Sequence, residues 1–188
     1  MSPESQDIPF SMDERRWMMK EKAAKIKTLI LDVDGVLTDG HVTINDRGEE
    51  IKSFHVRDGL GIRLLMRAGI EVIIITGRKS EVVAHRAKDL GIREVYQGVK
   101  DKGALCEELM KEKNLEKDHL CCMGDDLPDY LVMKEIGFPT CPSDAVEEIK
   151  SISMYISDKP GGEGCVRDVI EQVLRLQGKW MEADAFTW

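Results

Sequence analysis

The sequence has no long hydrophobic run, and none of its apolar stretches approaches the length of a membrane-spanning helix. The N-terminal segment lacks the basic start and the apolar stretch of a secretory signal, so we expect a cytoplasmic location and no membrane partner. Basic residues are too few for a nucleic-acid partner, because the net charge is −8 and a phosphate backbone requires a basic surface.

The cysteines show neither the pairing nor the spacing of a cross-linked or zinc-binding chain. Their number is odd and no two of them form a CxxC pair: Cys106, Cys121, Cys122, Cys141 and Cys165. These observations argue against a disulfide framework and against a zinc site. Cys121 and Cys122 fall inside an apolar run, which favours buried, unreactive thiols.

The length of 188 residues fits a single domain with a sizeable core, and the chain has no internal repeat or low-complexity segment. We expect the folded domain to span residues 25–180. Residues 1–24 are predicted to form a flexible leader, with a short helix around Trp17 as the alternative. Residues 181–188 are predicted to form a C-terminal tail.

Short apolar runs alternate with helical patterns along this domain. Six runs predict strands, at residues 27–33, 71–76, 94–97, 119–123, 137–141 and 154–156. Five segments predict helices, at residues 59–68, 80–90, 104–113, 145–150 and 166–176. Because strands that are apolar on both faces suit a parallel sheet covered by helices, we predict a three-layer, doubly wound α/β fold of the Rossmann-like type with a mostly parallel sheet.

One stretch, residues 41–56, breaks this pattern. Its sequence HVTINDRGEEIKSFHV alternates with period two on both sides of Asp46-Arg47-Gly48. That alternation predicts a β-hairpin with its turn near Arg47-Gly48. The hairpin follows closely on two aspartates, Asp32 and Asp34, at the end of the first predicted strand.

Several predicted strand ends carry charged or polar groups. Ligands bind beyond the carboxyl ends of the strands in an open α/β sheet, so these groups are expected to meet at one edge. They are Asp32, Asp34, Thr76, Gly77, Arg78, Lys79, Lys100, Lys102, Asp125, Asp126 and Asp129. Five carboxylates would repel one another strongly without a cation, and Mg²⁺ prefers carboxylate, water and phosphate oxygens. Thr76, Arg78 and Lys102 add donors that suit phosphate. The carboxylates, the metal ion and these donors together predict phosphoryl transfer.

Two aspartates separated by one residue also suit the reaction itself. An aspartate carboxylate can attack phosphorus and form an aspartyl-phosphate. A second carboxyl close by can protonate the leaving oxygen and then activate water. The sequence alone therefore predicts a phosphoryl-transfer site around Asp32 and Asp34.

The segments DVDGVLTD, IIITGR, Lys102 and GDDLPD resemble, in order, the four motifs of the haloacid dehalogenase superfamily of phosphatases. The resemblance implies the fold of that family, with Asp32 as nucleophile and Asp34 as general acid/base. It also implies that Thr76 and Lys102 hold the phosphoryl group, with Lys102 preferred over Lys100 by the family's spacing.

The same resemblance implies a Mg²⁺ site. Its ligands would be Asp32, Asp125 and the backbone carbonyl of Asp34, with Asp126 and Asp129 in supporting roles.

The intervals between the motifs leave no room for a cap domain, since only the hairpin and one predicted helix lie between Asp34 and Thr76. The segments FHVRDGLGIR, TGRKS, YQGVKDKG, GDDLPD and GGEGCVRD resemble a cap-less subfamily, the 3-deoxy-D-manno-octulosonate 8-phosphate phosphatases. This resemblance implies hydrolysis of that sugar acid phosphate, on the route to lipopolysaccharide in Gram-negative bacteria. It also implies a homotetramer in which the hairpins pack together.

The subfamily resemblance implies a set of substrate contacts after the hairpin and in the second and third motifs. They are His55, Val56, Arg57, Asp58, Gly59, Arg63, Thr76, Gly77, Arg78, Arg86 and Lys102. Several arginines suit a substrate that carries both a carboxylate and a phosphate. Gly161 and Gly162 belong to a Gly-rich segment, residues 160–164, which the resemblance predicts to reach toward a neighbouring site; a plain linker is the alternative.

Other interpretations remain open from the sequence. Uncapped phosphatases of nine-carbon sialic or ketodeoxynononic acid 9-phosphates share every quoted motif. Related domains fused to sialic acid cytidylyltransferases can be non-catalytic assembly modules, which the intact set of Asp32, Asp34, Lys102 and Asp125 argues against.

A calcium loop at residues 32–35 is disfavoured because Gly35 comes too early for an EF-hand. Viewed singly, GDDLPD also fits a polar turn with a helix cap. Thr76-Gly77-Arg78 also fits a strand-to-helix turn in which Ser80 is the N-cap.

Overall fold

Eight strands and seven α-helices make up residues 12–181, the part of the chain that the computed structural model describes. The strands are β1 (Thr28–Leu31), β2 (Thr43–Ile44), β3 (Glu50–Ile51), β4 (Glu71–Thr76), β5 (Glu94–Gln97), β6 (Leu120–Met123), β7 (Phe138–Cys141) and β8 (Tyr155–Ile156). The helices are α1 (Met12–Ala23), α2 (Val56–Arg67), α3 (Glu81–Leu90), α4 (Lys102–Glu112), α5 (Tyr130–Glu135), α6 (Glu147–Ile152) and α7 (Cys165–Leu176). Two short 3₁₀ turns lie at Lys117–His119 and Leu127–Asp129.

Six of the strands form one parallel sheet, in the order β5-β4-β1-β6-β7-β8. The first strand lies inside the sheet, paired in parallel with β4 on one side and with β6 on the other. The chain therefore builds the sheet outward from β1 in one direction and then in the other. Such a reversal creates a crevice at the carboxyl ends of the central strands.

Successive residues of β1 face opposite sides of the sheet, as the pleat of a strand requires. Leu29 and Leu31 pack in a core with apolar residues of α2, α3 and α7, whereas Ile30 packs in a second core with residues of α4, α5 and α6. All four residues of β1 are buried. The predicted three-layer α/β fold, with helices on both faces of a parallel sheet, is confirmed.

Strands β2 and β3 form a separate antiparallel hairpin, in which Thr43 lies opposite Ile51 and Ile44 opposite Glu50. Its turn contains Gly48, whose φ of +78° is readily available to glycine. Apart from this hairpin and α2, no element lies between β1 and β4 in the described structure, so there is no cap domain at that position. Within residues 12–181, no helix is long and apolar enough to cross a membrane.

The predicted strands and helices lie close to the observed ones, but two helices were not predicted outright. The short helix α5 follows the Leu127–Asp129 turn, and α1 lies within the predicted leader. Ala23, the last residue of α1, is buried in the core, and the side chain of Gln177 donates to the carbonyl oxygens of Ala23 and Ile26. Residues 1–11 of the predicted leader and 182–188 of the predicted tail lie outside the described residues. All five cysteines are buried, as predicted for Cys121 and Cys122.

Candidate active site

The carboxyl ends of β4, β1 and β6 lie side by side at the point where the sheet reverses its direction of growth. Asp32 follows β1 directly, and its backbone N–H donates to the carbonyl of Met123 in β6 at 3.1 Å. Thr76 is the buried last residue of β4, and Gly124 and Asp125 follow β6. The structure therefore brings the first, second and fourth predicted motifs together at one edge of the sheet.

Lys102 lies between two of the aspartates. Its ammonium nitrogen is 3.0 Å from Oδ1 of Asp32 and 2.6 Å from Oδ1 of Asp129. Lys102 is the first residue of α4, and the side chain of Asp101 caps that helix by accepting from the backbone N–H of Ala104. Lys100 is exposed, so Lys102 is the lysine of this loop that reaches Asp32.

The surroundings of Lys102 keep it charged. Burial acts to lower the pKa of its ammonium, but the carboxylates of Asp32 and Asp129 outweigh burial, and the pKa is raised. Only 4% of the Lys102 side chain is exposed. A buried ammonium held between two carboxylates is a fixed positive charge beside the Asp32 oxygens.

Three carboxylates form a cluster that can hold a metal ion. One oxygen from each of Asp32, Asp125 and Asp129 lies within 4.8 Å of the others. Gly35 makes room for this cluster, because a Cβ at that position would lie 2.0 Å from Oδ2 of Asp125. The carbonyl of Asp125 also accepts the backbone N–H of Val146, which fixes the loop after β6.

Repulsion and burial change the acidity of these groups. Burial and the nearby carboxylate of Asp129 raise the pKa of Asp32 to about 6, although Lys102 opposes the change. Burial and the charges of Asp32 and Asp129 raise the pKa of Asp125 to about 8. A divalent cation among these oxygens would relieve the repulsion, and the donor set of carboxylate oxygens is the type that Mg²⁺ prefers. The residues present therefore fit the predicted Mg²⁺ site.

The other two acids of the fourth motif shape its loop. The side chain of Asp126 is exposed and accepts from the backbone N–H of Leu127 at 2.7 Å, which caps the 3₁₀ turn. Asp129 is buried, and its second oxygen accepts from the backbone N–H of Asp125 at 3.2 Å. Both geometries agree with the supporting roles predicted for Asp126 and Asp129, and these roles remain predictions.

Asp34 lies among a different set of charged groups. Its carboxylate accepts from the ammonium of Lys52, which comes from the hairpin and is also 3.3 Å from Oε1 of Glu50. Arg78 donates to the same oxygen of Glu50 at 2.9 Å, and its Nε lies 3.9 Å from Asp34. Arg78 and the preceding Gly77 are exposed on the loop after β4. Lys52 and Glu50 belong to none of the predicted motifs, although the period-two pattern of the hairpin places both on one face.

The predicted substrate contacts after the hairpin divide into two groups. Val56 and Arg57 are exposed at the start of α2, and Nδ1 of His55 accepts from the backbone N–H of Arg57. Asp58 is 1% exposed, and one oxygen accepts from the backbone N–H of Arg167 in the first turn of α7. Burial raises the pKa of Asp58. The carboxyl of Asp58 therefore joins α2 to α7, and its role as a substrate contact remains a prediction.

Arg63 and Arg86 lie together at the end of α3. Arg63 donates to the carbonyl of Asp89 at 2.7 Å, and Arg86 donates to the Asp89 carboxylate at 2.9 Å. A Cβ on Gly59 would lie 2.4 Å from a guanidinium nitrogen of Arg86, so the guanidinium would have to move if residue 59 carried a side chain. The guanidinium of Arg86 also lies over the ring of Phe54, 5.8 Å from its centroid.

Gly161 and Gly162 pack against the loop after Asp34 in their own chain. A Cβ on Gly161 would lie 2.0 Å from the carbonyl oxygen of Gly35, and the backbone N–H of Gly162 donates to Val36. The side chain of Asp144 accepts from the backbone N–H of Gly161 at 2.9 Å. In the described structure the Gly-rich segment thus packs on the loop after Asp34 in its own chain, and its reach toward a neighbouring site remains a prediction.

Comparison with known proteins identifies the same family along most of the chain. A model of haloacid dehalogenase-like hydrolases matches residues 91–169. The 3-deoxy-D-manno-octulosonate 8-phosphate phosphatase of Escherichia coli strain K12 is 42% identical over 162 residues, which cover 86% of each chain.

Solved structures support this relationship. A haloacid dehalogenase superfamily (subfamily III A) hydrolase from Legionella pneumophila superposes with a TM-score of 0.87 at 42% identity, covering 89% of this chain and 92% of the other. The Moraxella catarrhalis 3-deoxy-D-manno-octulosonate 8-phosphate phosphatase, in complex with magnesium, phosphate and the sugar acid, gives a TM-score of 0.85 at 41% identity, covering 90% and 95%. The chain belongs to the 3-deoxy-D-manno-octulosonate 8-phosphate phosphatases, within the haloacid dehalogenase-like hydrolases.

Proposed function

We propose that this chain is a Mg²⁺-dependent phosphatase that converts 3-deoxy-D-manno-octulosonate 8-phosphate to the free sugar acid and inorganic phosphate. The observation that carries the proposal is the position of Asp32, between the buried ammonium of Lys102 and the carboxylates of Asp125 and Asp129. Two relatives whose sequences are 41–42% identical to this chain over the aligned regions are named for this activity. The substrate is a sugar of the lipopolysaccharide route, which agrees with a cytoplasmic location, and that location remains a proposal.

In the proposed reaction, a carboxylate oxygen of Asp32 attacks phosphorus, and the bond from phosphorus to the sugar oxygen breaks. The leaving oxygen takes its proton from the carboxyl of Asp34. Asp34 then accepts a proton from the water that attacks the aspartyl-phosphate, which releases phosphate and restores Asp32. Lys102 and Thr76 hold the phosphoryl oxygens during both steps.

The metal ion would be held by Asp32, Asp125 and the backbone carbonyl of Asp34. When bound, Mg²⁺ supplies positive charge that offsets the carboxylates and the phosphoryl oxygens. The separate surroundings of the two acids support their separate roles. Asp32 lies against Lys102 in the carboxylate cluster, whereas Asp34 lies against the hairpin.

The sugar acid needs a second set of contacts because it carries its own carboxylate. We assign these contacts to the set implied by the subfamily resemblance: His55, Val56, Arg57, Asp58, Gly59, Arg63, Gly77, Arg78 and Arg86. Arg78 already donates to a carboxylate, that of Glu50, and about half of its side chain is exposed. An arginine fork suits a carboxylate of the substrate in the same way.

A homotetramer formed through the hairpins is part of the proposal. The side chains of Ile44 and Ile51 are 61% and 51% exposed, and that of Val42 is 48% exposed. Apolar side chains that cluster on one exposed hairpin are characteristic of an interaction surface. A site without a cap also needs other surfaces to exclude water, which neighbouring copies would supply.

A substrate panel tests the proposed activity. We expect phosphate release from 3-deoxy-D-manno-octulosonate 8-phosphate with Mg²⁺, and none after chelation with EDTA. The kcat/KM for this substrate should exceed that for nine-carbon sialic and ketodeoxynononic acid 9-phosphates by at least about tenfold, since a mis-sized substrate loses some of its positioning contacts. A preference for the nine-carbon substrates would replace the proposed substrate, and failure to hydrolyse any of them would favour a non-catalytic module.

A further inference from the structure

We propose that Lys52 is a positioning residue for Asp34, holding the carboxyl of the general acid/base in place from the base of the hairpin. This inference rests on the proposed function, because it assigns Lys52 a task in the same reaction. It adds to the site a residue from outside the four motifs that carry the family resemblance.

Lys52 directly follows β3, and the alternation between less and more exposed residues in that strand continues through Lys52 and Ser53. Ile51 and Ser53 are exposed, whereas Glu50 and Lys52 are turned toward the protein. Neighbouring residues of an extended strand point to opposite sides, so Glu50 and Lys52 share one face. The same segment therefore presents Ile51 to the outside, and the ammonium of Lys52 and the carboxylate of Glu50 to the side of Asp34.

The environment of Lys52 is unusual for a lysine. Only 1% of its side chain is exposed, although lysine is rarely buried unless it is paired. Its ammonium contacts two carboxylates, those of Asp34 and Glu50. A buried charge persists only where such partners compensate for the lost hydration, so the position of Lys52 depends on Asp34 and Glu50 and fixes them in turn.

The two acids of the first motif therefore have separate lysines. Lys102 approaches Asp32 from α4, and Lys52 approaches Asp34 from the hairpin. Among the ion pairs of residues 12–181, the second cation beside Asp34 is Arg78, whose Nε lies 3.9 Å away on a half-exposed side chain. Without Lys52, the Asp34 carboxyl would keep only this longer and more mobile contact, and it would spend less time in the position that protonates the leaving oxygen.

The test compares substrates that differ in their need for a proton. A sugar phosphate releases a basic alkoxide, whereas 4-nitrophenyl phosphate releases a weakly basic phenolate. We expect Lys52→Met to lower kcat/KM for the sugar acid phosphate by roughly 10- to 100-fold, within the range of general acid catalysis. The loss for 4-nitrophenyl phosphate should stay below about threefold, because that leaving group departs without a proton.

Two further variants separate positioning from structure and from charge balance. Lys113→Met is the matched control, because Lys113 also bridges two carboxylates, Glu71 and Glu94, but at the opposite end of the sheet. It should leave the rates for both substrates within about twofold, as expected for a change outside the site. The double variant Glu50→Gln/Lys52→Met removes one acid with the lysine, so it keeps the local charge balanced and should be as slow on the sugar phosphate as Lys52→Met.

Several results would overturn the proposal. One is an equal loss for both substrates in Lys52→Met. Another is recovery of wild-type rates in the double variant, since Lys52 would then only neutralise Glu50. If Lys52→Met does not fold, the double variant and Lys52→Arg carry the same two-substrate comparison. A wild-type chain inactive on both substrates contradicts the proposed function, whereas an active wild type without the substrate-selective loss contradicts only the role of Lys52.

Discussion

The ammonium nitrogen of Lys102 lies 3.0 Å from Oδ1 of Asp32, and both side chains are almost closed off from solvent. Asp129 completes the group at 2.6 Å from the same nitrogen. Removing one member of a buried charged group leaves the others without compensation, which costs more than the net contribution of the group to stability. The stability of this part of the fold and the chemistry of the site therefore depend on the same lysine.

Lys102→Met should lower the free energy of unfolding by about 3–5 kcal/mol at pH 8 without Mg²⁺, because Asp32 and Asp129 are left buried and unpaired. The loss should be smaller at pH 5, where the Asp32 carboxyl, whose pKa is raised to about 6, takes up a proton in the folded protein. Urea unfolding at both pH values measures the difference. Lys25→Met removes an exposed ion pair with Asp118 and should cost less than about 1 kcal/mol. Equal losses for the two variants would contradict the prediction.

Asp32→Asn should reduce kcat by more than about 10³-fold, because an amide oxygen is a poor nucleophile toward phosphorus. The variant should fold, since it removes a charge from a repulsive cluster. Phosphate release and circular dichroism measure the two properties. Asp118→Asn, on the surface beside Lys25, serves as the control and should keep wild-type rates. Wild-type turnover by a pure Asp32→Asn sample would rule out the proposed nucleophile.

Gly35→Ala should impair the site through a single methyl group. The new Cβ would lie 2.0 Å from Asp125 Oδ2, so the carboxylate must move, and we expect Mg²⁺ affinity to fall by at least about tenfold. Gly48→Ala is the matched control, because Gly48 also has positive φ but has no atom within 4 Å of a built Cβ. The control should show only backbone strain, of about 1 kcal/mol. Magnesium titrations of activity in the two variants measure the difference, and similar affinities would contradict this role of Gly35.

Stability without metal should fall as the pH rises from about 4 to 8. The pKa values of Asp32 and Asp125 are raised in the folded protein to about 6 and about 8, from ordinary values of 3.8. In this range the folded chain binds more protons than the unfolded chain, so each rise in pH favours unfolding. A Mg²⁺ concentration about 100 times Kd should raise the Tm at pH 8 by roughly 5–10 °C.

The Tm gain from the same Mg²⁺ concentration should be smaller at pH 5.5, where protons compete for the carboxylates. Differential scanning fluorimetry with EDTA and with Mg²⁺ at both pH values tests this dependence. Asp125→Asn is the control variant, and it should lose most of the Mg²⁺ effect. A gain that is larger at pH 5.5 than at pH 8 would contradict the assignment of these carboxyls to the metal.

Ile51→Asp should shift the chain from a tetramer to smaller species, because it places a charge in the proposed hairpin interface. Ile156→Asp is the control, since Ile156 is similarly exposed but lies on β8. Size-exclusion chromatography with light scattering measures the mass of each variant, and the Ile51→Asp variant should also lose activity. A wild-type chain that is monomeric and fully active would rule out the tetramer.

Much of this architecture follows from local sequence patterns. Runs of apolar residues predicted the strands because a central parallel strand is buried on both faces, as all four residues of β1 are. The four motifs predicted Asp32, Thr76, Lys102 and Asp125 at one edge because parallel strands place their carboxyl ends together. These predictions need only the fold class and the order of the motifs.

The features that the sequence did not reveal depend mainly on contacts between distant segments. Asp58 is a helix-terminal acid in the sequence, and its contact with α7 arises only when α2 packs beside that helix. Lys52 was missed for a similar reason, because a lysine in an exposed hairpin is normally solvated and only the approach of Asp34 makes it a buried charge. The helix α5 has only six residues, too short for a clear helical period.

The close packing of Gly161 and Gly162 against residues 35–39 also bears on how the protein is made. All four motifs have been synthesised once Asp129 is added, yet the loop after Asp34 still lacks the backbone that packs on it. A nascent chain with every motif residue therefore has an incomplete site until the segment before α7 emerges. During translation, catalytic competence should therefore appear only after residues 161 and 162 have emerged from the ribosome and packed on this loop.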